Sequence, residues 1–301
     1  MTPLIETSTE AFLATICRRV AEAARTTGIA ARYEAIFDVV PDLKRQIDEL
    51  LASDAAAGQQ AEACLNDAFE SFKRDHAIAR LPYSQQLDAR YPYRDESLNP
   101  VLISELSDPL LARDSYAQSR VRAVMPYIDP AVSDRCRADA YGSTVLCRTI
   151  GGDDLRDPRE HVLIGQRGAF AARLIRRGEC IGVYGGRLMT AAMFFSCIEE
   201  SFVISANSGY AIAFVDGENV LAMANTLLAY DADGLPVAQA EDGYNLEAAS
   251  FDARSRCGRR FSIRAFFARH DIEPGAELRW NYRYSPELVR RVCWEAYGRG
   301  R

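Results

Sequence analysis

The chain has 301 residues, room for one large or two modest domains, and its 48% apolar and 26% charged content excludes wholesale disorder. No apolar run reaches the ~18 residues of a membrane span, and residues 1–10 lack the basic-then-apolar order of a signal peptide. A net charge of −6 disfavours direct nucleic-acid binding and is compatible with a basic peptide partner.

Helical patterning fills the first eighty residues. Thr7 and Glu10 have capping-box spacing, after which Phe12, Leu13, Ile16 and Val20 fall on one face, with Gly28 as the stop. A second helix carrying Tyr33, Ile36, Phe37 and Val40 is expected to end at Pro41. Leu43, Ile47, Leu50 and Leu51 mark a third, and Cys64, Leu65, Ala68, Phe69 and Phe72 a fourth. The predicted unit over 1–81 is therefore a small helical bundle or cap, recruiting a substrate or stabilising the rest. Residues 82–139 carry Pro82, Pro92, Pro100, Pro109, Pro126 and Pro130 with Tyr83, Tyr91 and Tyr93, which reads as a connector with short helices.

From about residue 140 the pattern turns to short strands, expected over 143–150, 178–184, 201–204, 210–215 and 260–267. The absence of regular intervening helices argues against a doubly wound nucleotide fold, and the GxxGG of Gly182, Gly185 and Gly186 opens no helix. A final helix is expected over 286–301. The eight cysteines form no CxxC, and His76, His161 and His270 are isolated, so reduced, mostly buried thiols are expected rather than a metal centre. Lysine occurs only at Lys44 and Lys73, which fits the Ala- and Arg-rich usage of a GC-rich bacterial genome.

Three ordered segments carry a resemblance. The first runs Gln166-Arg167-Gly168-Ala169-Phe170-Ala171, then Ile175, Gly178-Glu179, Ile181 and Tyr184-Gly185-Gly186. The second runs from Tyr210 through Phe214 to Asn225-Thr226. The third runs from Asp271-Ile272 through Gly275-Ala276-Glu277-Leu278 to Trp280-Asn281-Tyr282. Together they resemble the SET domain of protein lysine methyltransferases over roughly 140–285. The chain departs from that pattern at Gln166, where glycine is usual, and at Thr226, where histidine is usual. Residues 226–244 read as an inserted loop, with Asn245 matching a second asparagine, and Cys293 stands alone where many relatives have a zinc-bound tail.

The resemblance implies an α+β fold, with an N-terminal helical domain followed by a β-rich SET-like fold and a C-terminal helix. It also implies S-adenosylmethionine as cofactor, held by Gln166, Arg167, Gly168, Tyr184 and Asn225. Tyr282 would be the catalytic hydroxyl. Tyr210, Phe214, Trp280 and Tyr284 would wall a channel for a lysine-bearing protein or peptide, histones or other basic host proteins included. Trp280, bulkier than the usual Phe or Tyr, would limit the product to lower methylation states. The alternative is a catalytically inactive SET-fold binding module. The expected location is the cytoplasm, or a host cell reached without a cleaved signal peptide.

Overall fold

The computed structural model describes residues 3–109 and 115–298. Three long helices come first: α1 (Pro3–Ala24), α2 (Ile29–Ser53) and α3 (Ala55–His76). The sequence expectation is corrected in two places. α1 already begins at Pro3, so residue 7 lies inside the helix, and the side chain expected to cap it is outside the described residues. α2 passes straight through Pro41, joining two expected helices into one. An interior proline costs ~3 kcal/mol through its missing N–H and ring clash. Here Ile36, Val40, Leu43 and Ile47 form an unbroken buried stripe across it, and burial of each such side chain contributes ~1.5–3 kcal/mol, which outweighs the defect. Asp54 ends α2 in extended geometry and caps α3, accepting from the backbone N–H groups of Ala56 and Ala57 at 3.1 Å each.

Residues 82–139 do more than connect. They form α4 (Gln85–Ala89), β1 (Tyr93–Arg94), β2 (Ile103–Ser107), α5 (Ser115–Ile128) and α6 (Asp134–Gly142). Tyr93, Val101, Ile103, Val124, Tyr127 and Ile128 enter the main hydrophobic core. Arg137, 1% exposed, staples the segment by donating to the carbonyls of Ala89 (3.1 Å), Tyr127 (3.0 Å) and Val132 (3.0 Å). Pro126 lies inside α5 instead of breaking it, and the tyrosines and aliphatics of the segment bury between its short elements.

The remainder comprises β3 (Val145–Thr149), β4 (Arg167–Ala171), β5 (Cys180–Val183), β6 (Gly186–Met189), α7 (Ala191–Phe195), β7 (Val203–Ser205), β8 (Phe214–Gly217), β9 (Leu228–Tyr230), β10 (Pro236–Gln239), β11 (Leu246–Ser255), β12 (Arg260–Ala268) and α8 (Pro286–Gly298). Four small sheets result, ordered β1-β6-β8-β7, β2-β11-β12-β5, β10-β9 and β3-β4. The architecture is α+β, N-terminal helices followed by many short strands and a C-terminal helix, and fits the SET-like fold. The GxxGG glycines act in packing: a Cβ on Gly186 would lie 1.8 Å from the Asp216 carbonyl across the β6–β8 pair. The interval 226–244, expected as a loop, is the β9–β10 hairpin, whose turn is tied by Asp231 Oδ1 accepting from the Leu235 N–H at 2.9 Å.

A second apolar cluster joins the helical bundle to the rest, since Met189, Ala192 and Met193 pack among Ile36, Val40 and Phe72. Of the cysteines only Cys180 is buried, whereas Cys17, Cys136 and Cys257 are exposed; the expectation of mostly buried thiols is corrected, because several lie on outward helix faces and turns.

Asp88 ties the wrapping segment to the core. It is 4% exposed, accepts from the Val220 N–H at 2.8 Å and from the Tyr83 hydroxyl at 2.7 Å, and burial pushes its carboxyl from 3.8 up to about 6. The folded chain thus binds this proton more tightly than the unfolded chain. Its contribution to stability is fully present below pH 3.8 and is lost as pH rises through about 6. Urea unfolding across that window should show a flatter pH dependence for Asp88→Asn than for wild type; parallel curves would contradict this.

Candidate active site

Three distant stretches meet at one place. Within β4, Ala169 O accepts from the Leu278 N–H at 2.8 Å. The strand-like run 277–282 then passes beside Asn225, whose carbonyl accepts from the Trp280 N–H at 3.0 Å. Asn245 fastens the same run from its other side: its Nδ2 donates to Glu277 O and its Oδ1 accepts from the Arg279 N–H, both at 2.8 Å. The Ala224 carbonyl accepts twice, from Tyr282 Oη at 2.9 Å and Trp280 Nε1 at 3.1 Å. Residues 166–171, 224–226 and 277–282 therefore form one interlocked centre.

Two cavities flank it. The larger, about 490 Å³, is lined by Gln166, Arg167, Asn225, Tyr282 and Tyr284, with Val292 and Cys293 of α8 closing one side. The smaller, about 290 Å³, is lined by Tyr184, Trp280, Tyr282 and Tyr284 with Arg264 and Arg283. Ser201, Ala222, Tyr282 and Tyr284 line both. The Tyr282 phenol stands in this shared wall, and burial drives its pKa well up, so it remains neutral through the physiological range.

Not every residue expected at the site lies there. Gln166 and Arg167 are exposed on the larger cavity, where Gln166 Nε2 donates to Val162 O at 2.6 Å and Arg167 Nη2 to Tyr83 O at 2.8 Å. Gly168 lies beneath them instead, buried in β4, where an added Cβ would sit 3.0 Å from Ile150 and 3.1 Å from Glu277 Oε1. Its absent side chain permits close packing under the cavity floor. Tyr184, expected with the cofactor group, lines the smaller cavity, with its hydroxyl donating to Phe202 O at 2.7 Å. Trp280, 7% exposed, packs edge-on to Phe266 at 5.0 Å and against Tyr282 at 4.8 Å.

Two expected wall residues are elsewhere. Tyr210 is fully exposed, because 208–211 make a tight turn (Ala211 N to Ser208 O, 3.0 Å) before β8 begins. Phe214 stacks on Phe194 of α7 at 4.0 Å and belongs to the seam with the helical bundle. The strand expected over 210–215 starts only at Phe214, so Tyr210 lies in the turn before it and Phe214 faces α7.

A buried charge cluster completes the centre. Arg279 is 0% exposed and contacts Glu277 at 2.5 Å, Glu160 at 3.3 Å and the Thr226 carbonyl at 2.6 Å. Glu277 Oε1 in turn accepts from Asn225 Nδ2 at 2.9 Å. Burial outweighs the pull of Arg279 and holds the Glu277 carboxyl above its usual range. Arg279 thereby grips the Asn225–Thr226 backbone from inside. In the sequence an arginine between Leu278 and Trp280 carries no mark of burial.

The larger cavity has the size of a small-molecule site (~300–1,000 Å³). Its lining suits an amphiphilic ligand such as S-adenosylmethionine: Tyr83 and Tyr282 contribute aromatic rings, Arg80 and Arg167 contribute donors, and Asn225 Oδ1 has no partner among the described residues. Among the described residues no group of three His, Cys, Asp or Glu is arranged to hold a metal ion, and no helix is long and apolar enough to cross a membrane.

No protein-family model and no curated protein matches the chain. Solved structures with similarity include the Chaetomium thermophilum polycomb repressive complex 2, at 19% identity and TM-score 0.35, covering 56% of this chain and 20% of that one. KRYPTONITE in complex with mCHG DNA and SAH aligns at 17% identity and TM-score 0.30 over 42% of this chain and 23% of that one. A humanized mutant of the same polycomb complex bound to the inhibitor GSK126 aligns at 20% and 0.35, over 62% of this chain and 21% of that one. This chain thus spans about a fifth of the length of those it matches.

Proposed function

We propose that the chain is an S-adenosylmethionine-dependent protein lysine N-methyltransferase of SET type. The observation that carries this reading is Tyr282 standing in the wall common to two cavities, one of cofactor size and a smaller one that Tyr184, Trp280 and Tyr284 help to line. The cofactor, when bound, supplies a methyl group on a cationic sulfur. Gln166, Arg167 and Asn225 are the residues that would hold it. Tyr282 gives its proton to Ala224 O, leaving its oxygen lone pairs to orient an incoming amine and favour positive charge on a transferring carbon. Tyr184 and Trp280 give the smaller cavity apolar ring walls. That matters because lysine titrates near 10.4, and an apolar surrounding shifts it toward the neutral nucleophile.

Thr226 replaces the histidine of the resembled motif, a departure that favoured an inactive module. The grip of Arg279 on the Thr226 carbonyl supplies an anchor at the same point and supports the catalytic reading. Calorimetric titration of the full chain with S-adenosylmethionine should show one site, weakened about tenfold or more by Asn225→Ala through loss of a buried polar contact. Absence of binding would leave the inactive module in its place. With its indole fixed to Ala224 O, Trp280 should restrict transfer to mono- and dimethyl-lysine; abundant trimethyl product by mass spectrometry would overturn that role.

A further inference from the structure

The smaller cavity contains two arginines and no carboxylate. Arg264 lies on β12, where its backbone carbonyl accepts from the Tyr184 N–H at 2.8 Å, so it is anchored beside the aromatic wall. Arg283 follows the catalytic centre directly. It adopts a left-handed backbone (φ 60°), with its N–H donating to Asn281 Oδ1 at 2.7 Å, and it is exposed at the rim. A non-glycine residue in that region costs ~1–2 kcal/mol, so the turn is actively held in this shape. Burial first, and then the charge of Arg283, lower the affinity of Arg264 for its proton, so the two cations feel one another. No carboxylate stands within 4.0 Å of either guanidinium among the described residues. The chain's fully buried arginines are treated differently: Arg94 meets Glu218, Arg137 meets Asp134, Arg187 meets Asp216 and Arg279 meets Glu277.

We propose that Arg264 and Arg283 are specificity determinants that select lysines flanked by acidic residues, whose carboxylates complete ion pairs the chain leaves unmade. This rests on the smaller cavity being the acceptor channel. A guanidinium fork matches a carboxylate with two parallel hydrogen bonds. Charges farther than ~8–10 Å are screened at physiological salt, and an extended peptide advances ~3.3–3.6 Å per residue. The arginines therefore read the two or three positions beside the lysine, whereas the chain's overall −6 acts weakly there. The local pair reverses the expectation of a basic acceptor drawn from net charge. It also assists the chemistry, since nearby cations disfavour the ammonium form of the amine.

The test uses fluorescein-labelled lysine peptides identical except for Asp and Glu, or Arg, at the flanking positions. Their binding to the full chain is followed by fluorescence anisotropy, and methyl transfer from labelled S-adenosylmethionine is followed in parallel. The acidic-flanked peptide should bind about tenfold tighter at low salt, and the advantage should shrink as salt screens the pairs. Arg283→Glu, an exposed substitution, should invert the preference, and Arg264→Gln should narrow it. Equal binding, a preference for basic flanks, binding of neither peptide, or an unchanged preference in Arg283→Glu would overturn the proposal. Anisotropy needs no turnover, so an acidic preference without methyl transfer sustains the proposal and sinks only the catalytic reading. Equal transfer to both peptides sinks only the specificity.

Discussion

Tyr282→Phe should lower methyl transfer by roughly 10²–10³-fold while leaving cofactor binding and folding nearly intact, the loss typical of removing one preorganised polar group at a reacting centre. The ring fills the same space, so its packing against Trp280 at 4.8 Å and Tyr284 at 5.3 Å persists. What disappears is the oxygen in the wall shared by the two cavities. The Ala224 carbonyl keeps its bond from Trp280 Nε1, so no buried acceptor is stranded and the stability change stays within about 1 kcal/mol. Single-turnover transfer to a lysine peptide, beside calorimetry with S-adenosylmethionine, separates the outcomes. An unchanged rate would show that Tyr282 is wall and nothing more. Equal loss of binding and rate would mean that the residue supports the cavity rather than the reaction.

Arg279→Leu should be the most destabilising single change near the site, by about 3–5 kcal/mol, because removing one member of a buried ion cluster leaves its partners charged and unpaired. Glu160 and Glu277, 3% and 5% exposed, would then lose the cation they share, with Arg156 left as a neighbouring positive charge. The Thr226 carbonyl would also lose its donor, and Glu277, which accepts from Asn225, would lose the guanidinium that fixes it. Adding Glu277→Gln removes one stranded charge, so the double variant should recover part of the loss; chemical unfolding of the three variants measures this coupling. A cost below about 1 kcal/mol for the single change would show that the cluster is as weak as an exposed pair.

The legibility of the site followed backbone constraint. Gln166, Asn225 and Tyr282 were found because their segments carry glycines, turns and a fixed order that few other folds share, and the structure gathers them at one centre. Tyr210 and Phe214 were misplaced because an aromatic residue in a short strand has no sequence mark for which way it faces, and one turn at 208–211 moved the strand's start. β11, the longest strand, escaped notice: its run of Ala, Ser and Asp lacks β-branched residues, and it is a strand because β12 and β2 pair with it on both sides.

By itself the amino-acid order determined the α+β class, the helical start, the short-strand body and the ordered trio of segments, since these depend on periodicity and turn chemistry within a few residues. Only the tertiary structure decided that α2 runs through Pro41, that Arg279 is buried, and that Arg264 and Arg283 share a cavity. Those outcomes depend on which surfaces meet across the chain, where burial and ion pairing of several kcal/mol override local preferences of about 1–3.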